Sequence, residues 1–153
     1  MSATAIAPGF SRVTRTGFTV TGLSAVVSND DPAAIGALWG RWFDRWPLAG
    51  LADEDAATFA VYDRYQGDHT APFRLTIGRR LVASVAVRAG LTQVTVPGGD
   101  FLELVTTGDQ PAAVAAGWAR IWREVTGRCF VADVDRWPDA APGRAEILVG
   151  VWP

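Results

Sequence analysis

The chain of 153 residues contains no lysine, a single cysteine, a single histidine and a single methionine. Its fourteen basic residues are therefore all arginine. Without lysine, none of the glycines can belong to a phosphate-binding loop of the lysine-containing type. We attribute the absence of lysine, together with the many alanines and glycines, to the codon bias of a GC-rich genome, and we infer a bacterial source.

The small number of cysteines and histidines excludes several kinds of site. Cys129 cannot form a disulfide within the chain, which is typical of a protein from the reducing cytosol. His69 has no neighbouring cysteine and cannot build an ordinary zinc site, and its spacing from serines and aspartates does not indicate a catalytic triad. We therefore expect a cytoplasmic protein without a metal or an organic cofactor.

Charge and hydropathy exclude further classes of partner. The net charge of −2 and the isoelectric point near 5.3 provide no basic surface for nucleic acid or an anionic membrane. The apolar run VASVAV is followed by Arg88 and is too short to span a bilayer. Residues 1–16 lack the pattern of a signal peptide and are expected to be a flexible leader. With 49% hydrophobic residues in the chain, we predict that 17–153 forms one domain.

The most informative feature is an internal repeat. The stretches DDPAAIGALWGRWF (30–43) and DQPAAVAAGWARIW (109–122) align without a gap. When Pro32 is placed on Pro111, the further identical pairs are Asp30 and Asp109, Ala33 and Ala112, Ala34 and Ala113, Ala37 and Ala116, Trp39 and Trp118, and Arg41 and Arg120. An aspartate at the cap and a proline in the first turn are typical of a helix start. We therefore predict that each stretch begins a helix.

The apolar positions behind each start repeat at i, i+4, i+7 and i+11, which corresponds to one face of a helix. These faces consist of Ile35, Trp39, Trp42 and Trp46 in the first helix and of Val114, Trp118, Ile121 and Val125 in the second. Pro47 should end the first helix, and Gly127 should end the second in a left-handed cap. The predicted helices therefore span about 31–46 and 110–126.

Strand signals surround both predicted helices. The strand-like segments are FTVTGLSAVVS, TFAVYDRY and FRLTIG around the first helix, and TQVTVPGGDFLELVT, VADVDRW and AEILVGVW around the second. The order is β-α-β-β twice, in repeat units of about 17–80 and 91–153. We predict an α+β fold in which duplicated β-α-β-β units are related by a pseudo-twofold axis, with an antiparallel sheet, two helices and a central ligand cleft.

Three segments resemble the GyrI-like small-molecule-binding domains, also called bacterial transcription-activator effector-binding domains. VYDRYQGDHTAPFRLTIG is similar to their tyrosine-rich hairpin, VTVPGGDFLELVTTGDQ to the strands that enter the second helix, and FVADVDRWPD with AEILVGVW to the closing hairpin. The resemblance covers roughly 17–152 and implies a cleft that binds bulky, flat, often cationic molecules with an aromatic wall and a buried acid. About sixteen residues precede the first predicted strand, too few for a helix-turn-helix, so we expect the stand-alone type.

The resemblance also implies a position for the acid. The family's central acid is usually glutamate, and the matching position here is Asp135, which is one methylene shorter. Glu146 or Glu103 could therefore take over its role, and Asp135 and Glu146 are the candidate catalytic residues. Strand alternation places Asp133 with Asp135 on one face of their strand and Glu146 with Trp152 on one face of the last strand. The acids and tryptophans are therefore expected to share a surface.

Aromatic side chains are expected to line the cleft, because rings and a carboxylate together attract a delocalised cation. Trp122 lies one step off the apolar face of its helix, and Trp137 shares a strand with the acid. Trp39 and Trp118 also fit simple core packing, since they occupy equivalent repeat positions. The predicted ligand-binding residues are Asp135, Glu146, Trp39, Tyr62, Tyr65, Phe73, Trp118, Trp122 and Trp137.

Three functions are open at this point. The favoured one is a binder of lipophilic aromatic or cationic small molecules that acts by sequestration or sensing. The second, implied by the resemblance, is a hydrolase for strained cyclopropane-bearing natural products, in which Asp133 and Asp135 would act on a bound water. The third is a gyrase-inhibitor-like module that binds a protein, for which the acidic stretch ADED at 52–55 is the indication.

Overall fold

A computed structural model describes residues 6–45, 53–82 and 90–153. The elements are β1 Phe10–Arg15, β2 Phe18–Val27, α1 Pro32–Arg45, β3 Ala57–Asp63, β4 Phe73–Arg79, β5 Thr92–Val96, β6 Gly99–Thr107, α2 Ala112–Glu124, β7 Arg128–Pro138 and β8 Arg144–Val151. Within these ranges, no helix is long and apolar enough to cross a membrane.

The strands form a single sheet in the order β1-β6-β8-β7-β3-β4-β2-β5, and all neighbouring pairs are antiparallel. This order is symmetric about the β3–β7 pair, since β3-β4-β2 on one side corresponds to β7-β8-β6 on the other. At the junction, Ala60 lies opposite Asp135 and Val61 lies opposite Val134. The predicted α+β fold with duplicated β-α-β-β units is confirmed.

Each repeat unit carries an additional strand before its β-α-β-β elements. The one in the second unit, β5, was among the predicted strands that enter the second helix, whereas β1 lies outside the predicted units. Strand β1 precedes β2 but pairs with β6, and β5 precedes β6 but pairs with β2, so the two units exchange their first strands. Residues 10–15 are therefore an edge strand and not part of a flexible leader. Phe10 is the only buried side chain of this strand, which is held at the edge of the sheet by backbone pairing with β6. A strand with so little apolar surface carries a weak sequence signal.

Helix α1 begins where the prediction placed it. The Oδ1 atom of Asp31 accepts a hydrogen bond from the backbone N–H of Ala34 at 3.3 Å, which satisfies one of the free amides of the first turn. Leu38 and Trp42 are fully buried against the sheet, and Trp39 is partly buried. Residues 46 and 47, with which the predicted helix ends, lie outside the described residues.

Helix α2 differs from the prediction at both ends. The side chain of Gln110, and not that of Asp109, accepts a hydrogen bond from the backbone N–H of Val114, at 3.1 Å. At the other end, Val125 adopts an extended conformation and ends the helix. Gly127 has the predicted left-handed conformation with φ of +74°, but it lies beyond the cap and leads into β7.

Both helices lie on one face of the sheet. Helix α1 packs on β2 and β4, and α2 packs on β6 and β8, so the central strands β3 and β7 lie between them. We call this space, with β3 and β7 as its floor, the cleft. The opposite face carries a core cluster drawn from strands on both halves. Its buried members are Val20, Ala57, Phe59, Val61, Val94, Val96, Phe101, Ala132, Val134 and Leu148.

Candidate ligand-binding site

Asp135 on β7 lies at the centre of the cleft. The hydroxyl of Tyr62, on the neighbouring strand β3, donates a hydrogen bond to Oδ2 at 2.6 Å. The indole N–H of Trp118, on α2, donates one to Oδ1 at 2.8 Å. Asp135 is only 1% exposed, and no arginine in the described part of the chain forms an ion pair with it. A buried carboxylate is thus bound by two neutral donors and has no counter-ion among the residues that the structure describes.

The pKa of Asp135 is raised toward neutral pH. Burial raises the pKa of Asp135 to about 7, because the charged form loses its hydration. The negative charge of Asp133 acts in the same direction, whereas the hydrogen bonds from Tyr62 and Trp118 lower the pKa. The nearby indole N–H of Trp137 also lowers the pKa of Asp135, although this nitrogen forms no hydrogen bond among the described residues. Asp135 can therefore gain or lose its proton near physiological pH.

Asp133 is a second buried acid on the same side of β7, and its partners differ. It is fully buried and accepts hydrogen bonds from the backbone N–H of Gly150 at 2.8 Å and from the hydroxyl of Tyr65. The guanidinium of Arg128 donates to its Oδ2 at 2.7 Å. Burial raises the pKa of Asp133, and the positive charge of Arg128 opposes this shift. Asp133 therefore has the counter-ion that Asp135 lacks.

Aromatic rings from both repeat units surround the two acids. Trp39 of α1 meets Trp137 of β7 edge to face, with ring centroids 5.6 Å apart. Tyr62 meets Trp118 of α2 in the same way, at 4.9 Å. Further ring contacts of 5.6 and 5.7 Å join the tyrosines of the first hairpin to Phe73. The predicted aromatic residues that the structure brings together here are Trp39, Tyr62, Tyr65, Phe73, Trp118 and Trp137.

Two residues that the sequence analysis did not select belong to the same cluster. Arg128 and Phe130 lie at the start of β7, where the pairing with β8 shifts between Arg128 and Asp133. Phe130 has a φ of 52°, which is unusual for a bulky residue. The Cζ atom of Arg128 lies 4.2 Å from the centroid of the Phe130 ring. A basic residue close to Asp133 was visible in the sequence, but the irregular pairing that joins them is not apparent from alternation.

Comparison with known proteins identifies the fold. No family model matches the sequence, and no curated protein matches it. An integron cassette protein from the mobile metagenome of Vibrio cholerae superposes with a TM-score of 0.80 at 22% identity, over 95% of this chain and 97% of that one. SAV2435 bound to tetraphenylphosphonium has a TM-score of 0.77 at 14% identity, over 94% and 93% of the two chains.

A third structure, the EcmrR C-terminal domain, has a TM-score of 0.59 at 11% identity, over 94% of this chain and 96% of that one. The fold is that of the GyrI-like small-molecule-binding domains. At these identities the likeness concerns the arrangement of the chain. The chemistry of the cleft is therefore argued from the residues of this protein.

The GyrI-like fold places Glu146 away from the cleft. Arg136 lies opposite Glu146 and Asp135 lies opposite Ile147 in the β7–β8 pair. Side chains directly opposite each other share a face, so Asp135 lies with Ile147 on the helix face and Glu146 lies on the other. There the guanidinium of Arg136 contacts the carboxylate of Glu146 at 3.0 Å. The expectation that Glu146 and Asp135 share a surface is wrong, because alternation within each strand does not define the register between them.

The remaining candidates also lie apart from Asp135. Glu103 faces the same side as Glu146 and forms an ion pair with Arg15 at 3.4 Å. Trp122 on α2 is 37% exposed and stacks on the ring of His69, with centroids 5.2 Å apart. Of the predicted acids, Asp133 and Asp135 lie in the cleft in contact with the predicted rings, whereas the ion pair of Asp133 with Arg128 was not predicted.

The acidic stretch at 52–55 is largely neutralised by arginines. Asp53 pairs with Arg79, and Glu54 pairs with Arg80 at 3.2 Å. Asp55 pairs with Arg136 at 2.7 Å, and this contact lowers the pKa of Asp55. Residue 52 lies outside the described residues. These compensated charges provide no argument for an acidic surface that binds a protein partner.

At the floor of the cleft, Asp135 is covered by side chains of the protein itself, since it is only 1% exposed. A cavity of about 440 Å³ is found elsewhere, toward the end of β8. It is lined by Pro97, Gly98, Gly99, Asp100, Phe101, Cys129, Val131, Ala132, Gly150, Val151, Trp152 and Pro153. Asp135 does not border it and is almost inaccessible. A molecule could therefore contact Asp135 only if the side chains that cover it move aside.

Proposed function

We propose that this protein binds bulky lipophilic aromatic cations in the cleft, with Asp135 as the acid that recognises the charge. The observation that carries the proposal is a buried carboxylate at the centre of an aromatic cluster, without a counter-ion in the described part of the chain. In the bacterial cytoplasm, such binding would serve sequestration or sensing. The free thiol of Cys129 agrees with that location.

The physical argument is one of charge complementarity. An ionised carboxylate that is removed from water gains free energy when a cation approaches, because the local dielectric is low. A delocalised cation loses little hydration on entering an apolar site, and ring faces attract it through cation–π contacts. Trp118 and Tyr62 could provide both the rings and the hydrogen bonds that orient Asp135. Affinity is expected to be near micromolar, since one charge and a few rings offer limited free energy after the costs of binding.

A protein of the same fold supports this ligand class. SAV2435 has been solved bound to tetraphenylphosphonium, which is a bulky aromatic cation. The identity of 14% carries the fold and not the site, so the proposal depends on the residues around Asp135. Although Asp135 is one methylene shorter than a glutamate, its carboxylate accepts hydrogen bonds from Tyr62 and Trp118 and so lies close to their rings.

The test compares two probes of nearly the same shape and opposite charge. Tetraphenylphosphonium and tetraphenylborate are each titrated into the protein at pH 8, and intrinsic tryptophan fluorescence and the heat of binding are recorded. We expect saturable binding of the cation with a dissociation constant near micromolar and at least tenfold weaker binding of the anion. Equal binding of the two probes would indicate a merely hydrophobic site, and preferential binding of the anion would contradict the proposal.

Hydrolysis is a second candidate, favoured by one observation. A carboxyl group with a pKa of about 7 can act as a general acid or base at neutral pH, and Asp135 meets that condition. Asp135 would accept a proton from water as the water oxygen bonds to a strained carbon and the carbon–carbon bond of the ring breaks. The protonated Asp135 would then return this proton to the carbon that receives the electron pair of the broken bond. Incubation with an electrophilic cyclopropane and mass spectrometry should then reveal a product heavier by one water. Recovery of the unchanged compound bound to the protein would show that the protein binds the compound and does not hydrolyse it.

A further inference from the structure

The cleft contains a cation of its own. We infer that Arg128 occupies one of two cation positions in the cleft and thereby makes the protein selective for singly charged ligands. This inference rests on the proposed function, because it concerns which cations the same cleft accepts. It assigns to Arg128 the role of a specificity-determining residue.

The surroundings of Arg128 are those expected of a bound aromatic cation. Its side chain is 5% exposed, and its guanidinium forms an ion pair with the fully buried Asp133 at 2.7 Å. Its Cζ atom lies 4.2 Å from the ring centroid of Phe130, 5.8 Å from that of Trp118 and 6.0 Å from that of Tyr65. Rings within about 6 Å of a guanidinium contribute cation–π attraction. A carboxylate and three rings thus already surround an internal cation.

The two acids of β7 therefore differ in what they can offer a ligand. The carboxylate of Asp133 is satisfied by a cation, a hydroxyl and a backbone N–H. The carboxylate of Asp135 receives hydrogen bonds from neutral groups alone. They are two residues apart on one strand, so their positions are separated by about 7 Å. One negative charge is compensated within the chain, and one is available for a ligand.

Trp118 connects the two positions. Its indole N–H donates to Asp135, while its ring is one of those near the Arg128 guanidinium. The irregular pairing of β7 with β8 and the positive φ of Phe130 bring the ring of Phe130 beside Arg128. Backbone strain of this kind persists only where the surrounding structure favours it. The chain thus holds its internal cation in a defined place beside the position that we assign to the ligand.

The consequence is a rule for ligand charge. In the wild type, the second positive charge of a dicationic ligand would lie close to the guanidinium of Arg128, which repels it, because the carboxylate of Asp133 is already paired with Arg128. Without Arg128, Asp133 would become a second acceptor at a distance that a rigid dication can span. The ratio of dication affinity to monocation affinity therefore reports on Arg128, whereas the monocation affinity itself reports on Asp135.

The experiment uses a matched pair of probes. Benzyl viologen is an aromatic dication whose two ring nitrogens lie about as far apart as alternate residues on a strand. The singly benzylated 4,4′-bipyridine is its monocationic counterpart at pH 8. Dissociation constants for both are measured by isothermal titration calorimetry with the wild type, Arg128→Gln, Asp133→Asn and the double variant. Circular dichroism and thermal unfolding establish that each variant is folded.

The two single substitutions should act in opposite directions. In the wild type, the dication should bind no more tightly than the monocation. Arg128→Gln frees a buried carboxylate and should raise the dication-to-monocation affinity ratio by about ten- to a hundredfold. Asp133→Asn leaves the guanidinium uncompensated and should lower that ratio by about tenfold or more. The double variant should return the ratio to the wild-type value, since it removes both charges.

Other outcomes would overturn the inference. If Arg128→Gln keeps monocation binding but leaves the ratio unchanged, Arg128 does not determine charge selectivity and the proposed function stands. If Arg128→Gln does not fold, the direction of the change in Asp133→Asn still decides, and a raised or unchanged ratio contradicts the inference. If neither probe binds to the wild type or to any variant, the proposed function fails and the inference fails with it.

Discussion

At the scale of the residue, the chemistry of this protein centres on two aspartates that are chemically identical and electrostatically different. Both lie on the helix face of β7 and are buried. Asp133 is neutralised by Arg128, whereas Asp135 is held by the neutral donors Tyr62 and Trp118. A buried carboxylate that lacks a cation is costly to ionise, which is why the pKa of Asp135 is raised. A cationic ligand would supply the missing charge.

Replacement of the acid should separate charge recognition from hydrophobic binding. We expect Asp135→Asn to weaken tetraphenylphosphonium binding by about ten- to a hundredfold, the scale of one charge-assisted contact, because the amide keeps the shape and loses the charge. Calorimetric titration of the folded variant measures this change. Glu146→Gln is the control, since Glu146 lies on the other face of the sheet and should leave the affinity within about twofold. A large effect of Glu146→Gln with none of Asp135→Asn would reverse the assignment.

The raised pKa of Asp135 predicts a pH dependence of cation affinity. The cation binds the ionised carboxylate, which predominates above the pKa of about 7 and is lost below it. Affinity for tetraphenylphosphonium should therefore fall about tenfold when the pH is lowered from 8 to 6, at up to tenfold per unit. The neighbouring tyrosines Tyr62 and Tyr65 stay protonated throughout, since burial raises the pKa of each. The dependence should vanish in Asp135→Asn, and a pH-dependent affinity that persists there would implicate another group.

At the scale of the element, the two helices show how a repeat diverges under different packing. Leu38 of α1 and Gly117 of α2 occupy equivalent places, each just before the tryptophan shared by the repeats. Leu38 fills the space between α1 and the sheet, whereas Gly117 lets α2 approach the sheet closely. A Cβ atom on Gly117 would lie 2.9 Å from side-chain atoms of both Ile147 and Thr106. The close approach brings Trp118 within reach of Asp135.

A pair of glycine substitutions tests this packing. Gly117→Ala should lower the free energy of unfolding by about 1–2 kcal/mol, because the added methyl group forces the side chains of Ile147 and Thr106 to shift, at a cost that exceeds the gain in helix propensity. Gly36→Ala in α1 should raise it by about 0.5–1 kcal/mol, since that position is exposed, has no heavy atom within 4 Å of the added carbon and gains helix propensity. Urea denaturation of the two variants measures both changes. Equal effects at the two positions would show that α2 does not pack as closely as described.

At the scale of the whole molecule, the symmetric sheet places the cleft at the junction of the repeats. Strands β3 and β7 meet there, and each half contributes one helix and part of the aromatic cluster. On the far face, Arg136 joins Asp55 to Glu146 across the same junction. The far face is therefore tied together by ion pairs and a buried core, while the cleft face is covered by aromatic rings.

Ligand binding should consequently stabilise the whole domain. Tetraphenylphosphonium at a hundredfold excess over its dissociation constant should add about 2.7 kcal/mol to the free energy of unfolding, by preferential binding to the folded state. Thermal unfolding followed by circular dichroism should show a midpoint that rises with ligand concentration, and tetraphenylborate provides the control. An unchanged midpoint under saturating cation would mean that the fluorescence response arises outside the folded cleft.

The features that the sequence determined are those that depend on neighbouring residues. Helices α1 and α2 were predicted from their start signals and from the spacing of Ile35, Trp39 and their counterparts, because helical periodicity is a local property. Strands β2 to β8 followed from alternation and turn residues, and the duplication followed from the repeat itself. Asp135 was selected on its resemblance to the acid of the GyrI-like family. Its assignment as the site acid stays a prediction.

The tertiary structure decided everything that depends on pairing between distant segments. Register placed Asp135 beneath the helices and Glu146 on the other face, and a shift of one residue in the β7–β8 pairing would have brought Glu146 to the face of Asp135. Exchange of the first strands made β1 part of the sheet. The irregular start of β7 brought Arg128 to Asp133 and so left one of two identical acids without a counter-ion. Such arrangements depend on long-range hydrogen bonding and sheet curvature, which local periodicity does not encode.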